Sequence, residues 1–256
     1  MIQFFRRIRH GLISEGHLSK YLVYAAGEIL LVVIGILIAL QINDANEQRL
    51  ERKRELQYLE SLKTDLTINI AELDKFIADR QGRLDSAHVI MGYFEGNPLT
   101  SLEDFAYHNI HVQAWTKFYQ NNNTFQELVN SGSLSILSNQ SIKTQLMDLE
   151  LLYKKMKSDE DHMRFDFEGY MYDPLFINAD VNPMQQNFVY RLTAGAAGER
   201  APLSRDEIEG LLRNVKFKNG FAMAILMMGI INDEFKEIKT KTRELIELID
   251  QEMSRQ

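Results

Sequence analysis

The sequence predicts an all-α protein: a short amphipathic surface helix, one transmembrane helix continuing into a long stalk helix, and an antiparallel helical bundle. Three observations predict it. An apolar run at residues 21–42 is long enough to cross a bilayer. Three later segments repeat apolar residues at alternating spacings of three and four. No stretch alternates apolar and polar residues for long enough to read as a strand. Composition agrees: 45% of the 256 residues are hydrophobic and 25% charged, which is enough apolar material for a folded core. The absence of cysteine excludes disulfides and thiolate metal sites. Net charge is −7; residues 1–42 hold Arg6, Arg7, Arg9 and Lys20 against Glu15 and Glu28, a net +2, which leaves −9 for the remainder. An acidic body argues against nucleic acid as a partner. A basic start suits the anionic face of a bilayer.

Residues 1–20, "MIQFFRRIRHGLISEGHLSK", place Ile2, Phe5, Ile8 and Leu12 at helical spacing with arginines between them. That pattern predicts an amphipathic helix lying on the membrane, with Gly11 and Gly16 allowing a bend into the apolar run. From Tyr21 to Ile42, 18 of 22 residues are apolar and thirteen are Leu, Ile or Val. At about 1.5 Å per residue the segment reaches ~33 Å, enough for a hydrocarbon core of about 30 Å. Its aliphatic side chains favour insertion by roughly 4 to 8 kcal/mol, against about 2.5 to 3.5 kcal/mol for one central carboxylate. Glu28 therefore does not veto the span. No A-x-A-like site comes after it, so the segment reads as an anchor and not as a cleaved signal peptide.

Helical spacing puts Lys20, Tyr24, Glu28, Leu31, Gly35 and Ala39 on one stripe. Gly35 and Ala39 form a small-xxx-small pair that lets two helices approach closely. Glu28 has two readings: it faces a partner helix, together with Tyr24, Gly35 and Ala39, or it reaches back toward the headgroups. Four Lys/Arg stand within fifteen residues of each end of the span, so the positive-inside count ties. The basic surface helix favours a cytoplasmic N-terminus, with the acidic bundle in the periplasm.

Residues 43–256 read as the bundle. A first long helix at about 45–94 carries Leu59, Leu62, Leu66, Leu73, Ile77, Leu84 and Met91, interrupted by Asn69 and Arg80. A second, at about 140–172, carries Ile142, Leu146, Leu149, Tyr153, Met156, Met163, Phe167 and Tyr170, broken only by Glu160. That glutamate either fixes the register or marks where the seam opens. A third, at about 215–253, runs from Phe217 through Phe221, Ala224, Met228, Ile231, Phe235, Ile238, Thr242 and Leu245 to Ile249. Such narrow seams suit coiled-coil-like packing. Thr100-x-x-Glu103, Thr124-x-x-Glu127 and Ser204-x-x-Glu207 read as capping boxes, and Gly132 as a helix-closing residue. "QAWTKFYQ" around Trp115 reads as a satellite core. Residues 174–203, bracketed by Pro174, Pro183 and Pro202, read as an irregular insertion that is in part packed.

Chemistry is sparse. No phosphate-binding or nucleophile-elbow motif is present. His108 and His111 in "YHNIH" could face the same way on a helix, but a metal needs further ligands. Asp159 and His162 belong to an acidic stretch, 159–173, that a solvated helix face explains and a divalent-cation site would need to converge. No complete metal site and no cofactor is therefore expected.

"FFRRIRHGLISEGHLSKYLVYAAGEILLVVIGILIALQIND" resembles the opening of a large group of uncharacterised proteins from Gram-negative bacteria, with a basic start before a GEIxLVVIGILIALQIN-like span. "TFQELVNSGSLSILSNQSIKTQL" is similar to that group's T-x-x-x-L-x-x-S-G-x-L motif, here Thr124, Leu128, Ser131, Gly132 and Leu134. The chain departs from the group at "NDANEQ", where a tryptophan is usual. The resemblance implies a single-pass membrane protein and supplies no reaction; the expected location is the bacterial inner membrane. The expected function is a membrane-anchored scaffold, interaction or sensory protein of the envelope, its partners the lipid bilayer and either a second copy or another envelope protein. The same residues leave two alternatives: an oligomeric channel with Glu28 facing its axis, and a metal-dependent enzyme using the acidic 159–173 helix.

Overall fold

The computed structural model describes residues 18–255, without the side chains of residues 18–21 and of Tyr24. The surface helix expected at 1–20 thus falls outside the described residues, except for positions 18–20, which open the first long helix. Every regular element among the described residues is helical. Contacts divide the chain into Met1–Gln57 and Tyr58–Gln256. The helix α1 (Leu18–Phe94) contributes to both.

In the second unit three long helices are laid out by their apolar seams. They are the later part of α1, α4 (Gln140–Phe167) and α8 (Val215–Ser254). The α8 seam is buried at every position from Phe217 to Ile249, as its spacing predicts. α8 runs antiparallel to α4, which is fixed by Asn139 against Glu252 and Lys155 against Glu234. It also runs antiparallel to α1, through Lys63 against Asp250 and Lys239 against Asp74. Phe94 reaches Phe217 and Phe221 at the far end of that contact.

A fourth long helix is missing among the described residues. Its place is taken by a broken leg: α2 (Leu102–Gln113), a non-helical segment at 114–122, and α3 (Asn123–Asn130). The leg returns along α1, pairing His111 with Ser86, Asn121 with Asn69 and Thr124 with Asp65 in turn. The topology is therefore up, down, up, down, with one descending leg fragmented. Gly132, at φ +70°, turns the chain from α3 into a 3₁₀ turn (Ser133–Ile136) before α4.

Several expectations are corrected in register. α2 is capped by Ser101, not Thr100; its hydroxyl accepts the Asp104 N–H at 3.0 Å. Thr124 lies inside α3, whose first turn is capped from outside by Asp65 of α1, accepting the Thr124 N–H at 2.9 Å. The Ser204 cap holds as expected, opening α7 (Arg205–Leu212). In α1 the buried positions after Leu73 are Arg80, Arg83, Ser86, Ala87 and Ile90, while Ile77, Leu84 and Met91 flank them half-buried. The heptad thus runs straight through the polar residues. At the end of α4 a π-helical turn, Glu168–Tyr172, inserts one residue. The seam shifts accordingly: Met171 is buried and Tyr170 is exposed.

Residues 174–203 are largely helical, not irregular. α5 (Asp173–Asn178) and α6 (Val181–Leu192) occupy most of the stretch. Pro174 and Pro183 each stand in a first helical turn, where no intrahelical N–H bond is required and a fixed φ favours the helix. The prolines therefore start helices here. Asp180 caps α6 through the Asn182 N–H.

Candidate functional site

Two features distinguish this chain from a plain bundle. The first is the opening of α1. Every large aliphatic side chain described between Leu22 and Ile42 is exposed, from Val33 at 43% to Val23 at 75%. α1 is the one helix among the described residues long and apolar enough to cross a membrane, with a mean hydropathy of 2.4 in its most apolar window and none of that window buried. Glu28 is half-buried, and Gly35 and Ala39 are exposed. A Cβ built on Gly27 or Gly35 would meet nothing within 4 Å. The Tyr24 side chain lies outside the described residues.

The second feature is a polar seam facing the broken leg. An extended segment carries backbone N–H and C=O groups that no helix satisfies, and burying them unpaired is costly. The seam residues supply partners. Asn69, 3% exposed, donates its amide to the Asn121 carbonyl at 2.8 Å and accepts the Asn121 N–H at 2.7 Å. Asp65 accepts the Asn121 amide at 3.0 Å. Arg83 donates to the Thr116 hydroxyl at 3.3 Å, and the Tyr172 hydroxyl donates to the Gln113 carbonyl at 2.7 Å. Phe118, carried on this segment, inserts among Phe76, Tyr153 and Phe235 of the three long helices. The residues around Trp115 therefore join the central core and not a satellite one.

At the middle of the seam Arg80 and Glu160 form a buried ion pair at 2.7 Å, 4% and 0% exposed at their side chains. The Arg80 guanidinium also stands 5.5 Å over the Phe235 ring. Burial raises the Glu160 carboxyl above the usual range, opposed by Arg80, the Phe118 backbone N–H and Lys117. Glu160 is thus a register residue, matched to one arginine on α1.

The weak metal candidates do not converge. His108 and His111 both turn toward Ser86 of α1. His162 is exposed and lies 3.8 Å from Asp166 of its own helix, while Asp159 faces Glu234 of α8. Among the described residues no group of three or more His, Asp or Glu stands close enough to hold a metal ion. Ser86, between two imidazoles, has the residue types of a nucleophile with its base, but it is 3% exposed, and no substrate can reach it. A cleft of about 390 Å³ between α2, α5 and α6 is lined chiefly by Ile110, Leu175, Phe176, Phe188 and Val189. The one titratable side chain on its lining is the Tyr172 phenol, which donates to the Gln113 carbonyl.

A family of unknown function, DUF6090, matches residues 28–198. The chain belongs to that family. No curated protein and no solved structure matches it. The DUF6090 match begins at Glu28 and takes in Gly35, Ala39, the whole polar seam and the broken leg. It ends in the turn after α6, so α7 and α8 lie beyond it. The polar seam was half-legible in the sequence: Asn69, Arg80 and Glu160 stood out as breaks in apolar spacing. Their partners did not, because nothing local marks residues 114–122 as an extended strip.

Proposed function

We propose that this protein is a membrane-anchored helical scaffold or interaction protein of the bacterial envelope. It crosses the inner membrane once, with its N-terminus in the cytoplasm and its bundle in the periplasm. The single observation that carries the reading is the contrast along α1. Its large aliphatic residues are all exposed between 22 and 42, whereas further along the same helix Leu59, Leu62, Leu66 and Leu73 are buried. Thirteen exposed aliphatic side chains on one helix are unfavourable in water and favourable in lipid. Within the bilayer the Glu28, Gly35 and Ala39 face meets a second copy or another membrane protein, since a carboxylate and small residues gain little from acyl chains.

The experiment has two arms. Full-length protein in membranes should resist alkaline extraction; recovery in the aqueous fraction without detergent would remove the anchor. Crosslinking of wild type should give a dimer or higher species that Gly35→Leu reduces. Equal monomer in both would leave the anchor standing and remove the span interface.

A further inference from the structure

The contact between α1 and α2 is built around one hydroxyl. The Ser86 Oγ lies 2.9 Å from the Nδ1 of His111 and 3.0 Å from the Nδ1 of His108. With both rings neutral the set is complete: Ser86 donates to one Nδ1, and the other Nδ1–H donates to Ser86. Gly82, one turn earlier on α1, lies beside the His111 ring; a Cβ there would make ordinary contact with its Cε1 at 3.4 Å. Phe188 of α6 lies near that ring, with centroids 6.2 Å apart.

The charges that face this pair are already matched to one another. From α1, Asp79 lies 2.8 Å from the Arg83 guanidinium. From α2 itself, Asp104 is held at 2.6 Å by Arg191 of α6, whose guanidinium also stands 4.1 Å over the Tyr107 ring. From the extended segment, Thr116 takes another Arg83 nitrogen, and from the π turn the Tyr172 phenol faces Arg83. Each carboxylate near an imidazole also has an arginine beside it, which offsets its pull toward the charged ring. Two protonated rings would stand beside each other and beside Arg83 and Arg191, with Asp104 and Asp79 opposing that repulsion only in part. Burial and these arginines accordingly hold both imidazoles below their ordinary range.

We propose that α2 is an acid-released clasp: protonation of His108 and His111 expels their shared contact with Ser86 and frees α2, with the α6 helix packed on it, from α1. Release uncovers the α1 surface around Ser86, where Ser86 is 3% exposed and the neighbouring Ala87 is fully buried in the closed bundle. The device reads acidity outside the membrane segment and answers it by exposing a buried surface. It stands on the bundle alone and does not depend on the span interface.

Hydrogen exchange of the full-length chain in lipid nanodiscs tests it, at about pH 7.5 and about pH 5.5, either side of the imidazole range, with rates corrected for intrinsic chemistry. The expected result is a loss of protection at the lower pH confined to α2 and α6, while α8 stays protected. His108→Asn with His111→Asn should abolish that pH response. Unchanged α2 protection overturns the proposal, as does loss in α2 and α8 together or a double variant that still responds. Should the double variant not fold, the wild-type imidazoles are titrated by NMR. Both must titrate below ordinary histidine, and a value at or above it for either ring overturns the clasp.

Discussion

At the scale of single residues, the polar side chains in the apolar seams are best understood through what they hold. Arg80 and Glu160 bury two charges at the centre of the bundle. Desolvation of such a pair offsets most of its attraction, so its net contribution is small while the cost of breaking it is large. Glu160→Leu leaves the Arg80 guanidinium buried and unmatched, and should lower the unfolding free energy by about 3–5 kcal/mol. Glu160→Leu combined with Arg80→Met should recover most of that loss, as apolar replacements of whole buried pairs do. Urea denaturation of the two single variants and the double variant checks this; a double variant no better than Glu160→Leu would show that the pair is not an isolated unit. The sequence made these residues visible as interruptions. It did not show that the interruptions face one another, because Arg80 and Glu160 are eighty positions apart.

At the scale of elements, three long helices were legible because a 4-3 spacing sustained over many turns fits one face of a helix and no strand. The broken leg was not, since its extended middle is held by side chains from elsewhere in the chain. The prolines of 174–203 misled because their meaning depends on position within a turn. The π turn after α4 was equally invisible, and it depends on a close approach. A Cβ on Gly220 of α8 would lie 2.7 Å from the Met171 Cγ and 2.8 Å from the Tyr170 carbonyl oxygen. Gly220→Ala should therefore destabilise the protein by about 1–3 kcal/mol, although helix propensity alone would favour alanine by roughly 1 kcal/mol. Gly229 on the same helix meets nothing within 4 Å. Gly229→Ala should stabilise by up to about 1 kcal/mol, so thermal melts of the two variants should move in opposite directions.

At the scale of the whole molecule, acidity acts through two sets of groups with opposite signs. His108 and His111 have folded values below the ordinary 6.5, so the stability they contribute is present above that value and is lost as pH falls through it. Glu160 is raised above the ordinary 4.5, so its contribution is present below that value and is lost as pH rises through the folded value. The histidine contribution is read as the difference between the wild type and a variant lacking both imidazoles. The urea midpoint should fall between about pH 7.5 and about pH 5.5, and His108→Asn with His111→Asn should flatten that slope. A midpoint that rises on acidification would contradict the assignment. The placement of Phe118 also bears on assembly. Its ring is enclosed by one residue from each of three long helices, and the last of these, Phe235, is the final one synthesised. A nascent chain that has emerged from the ribosome only as far as α7 holds an open slot where that ring belongs. Completion must wait for translation to deliver the last helix, and until then the half-made bundle leaves that aromatic slot unfilled.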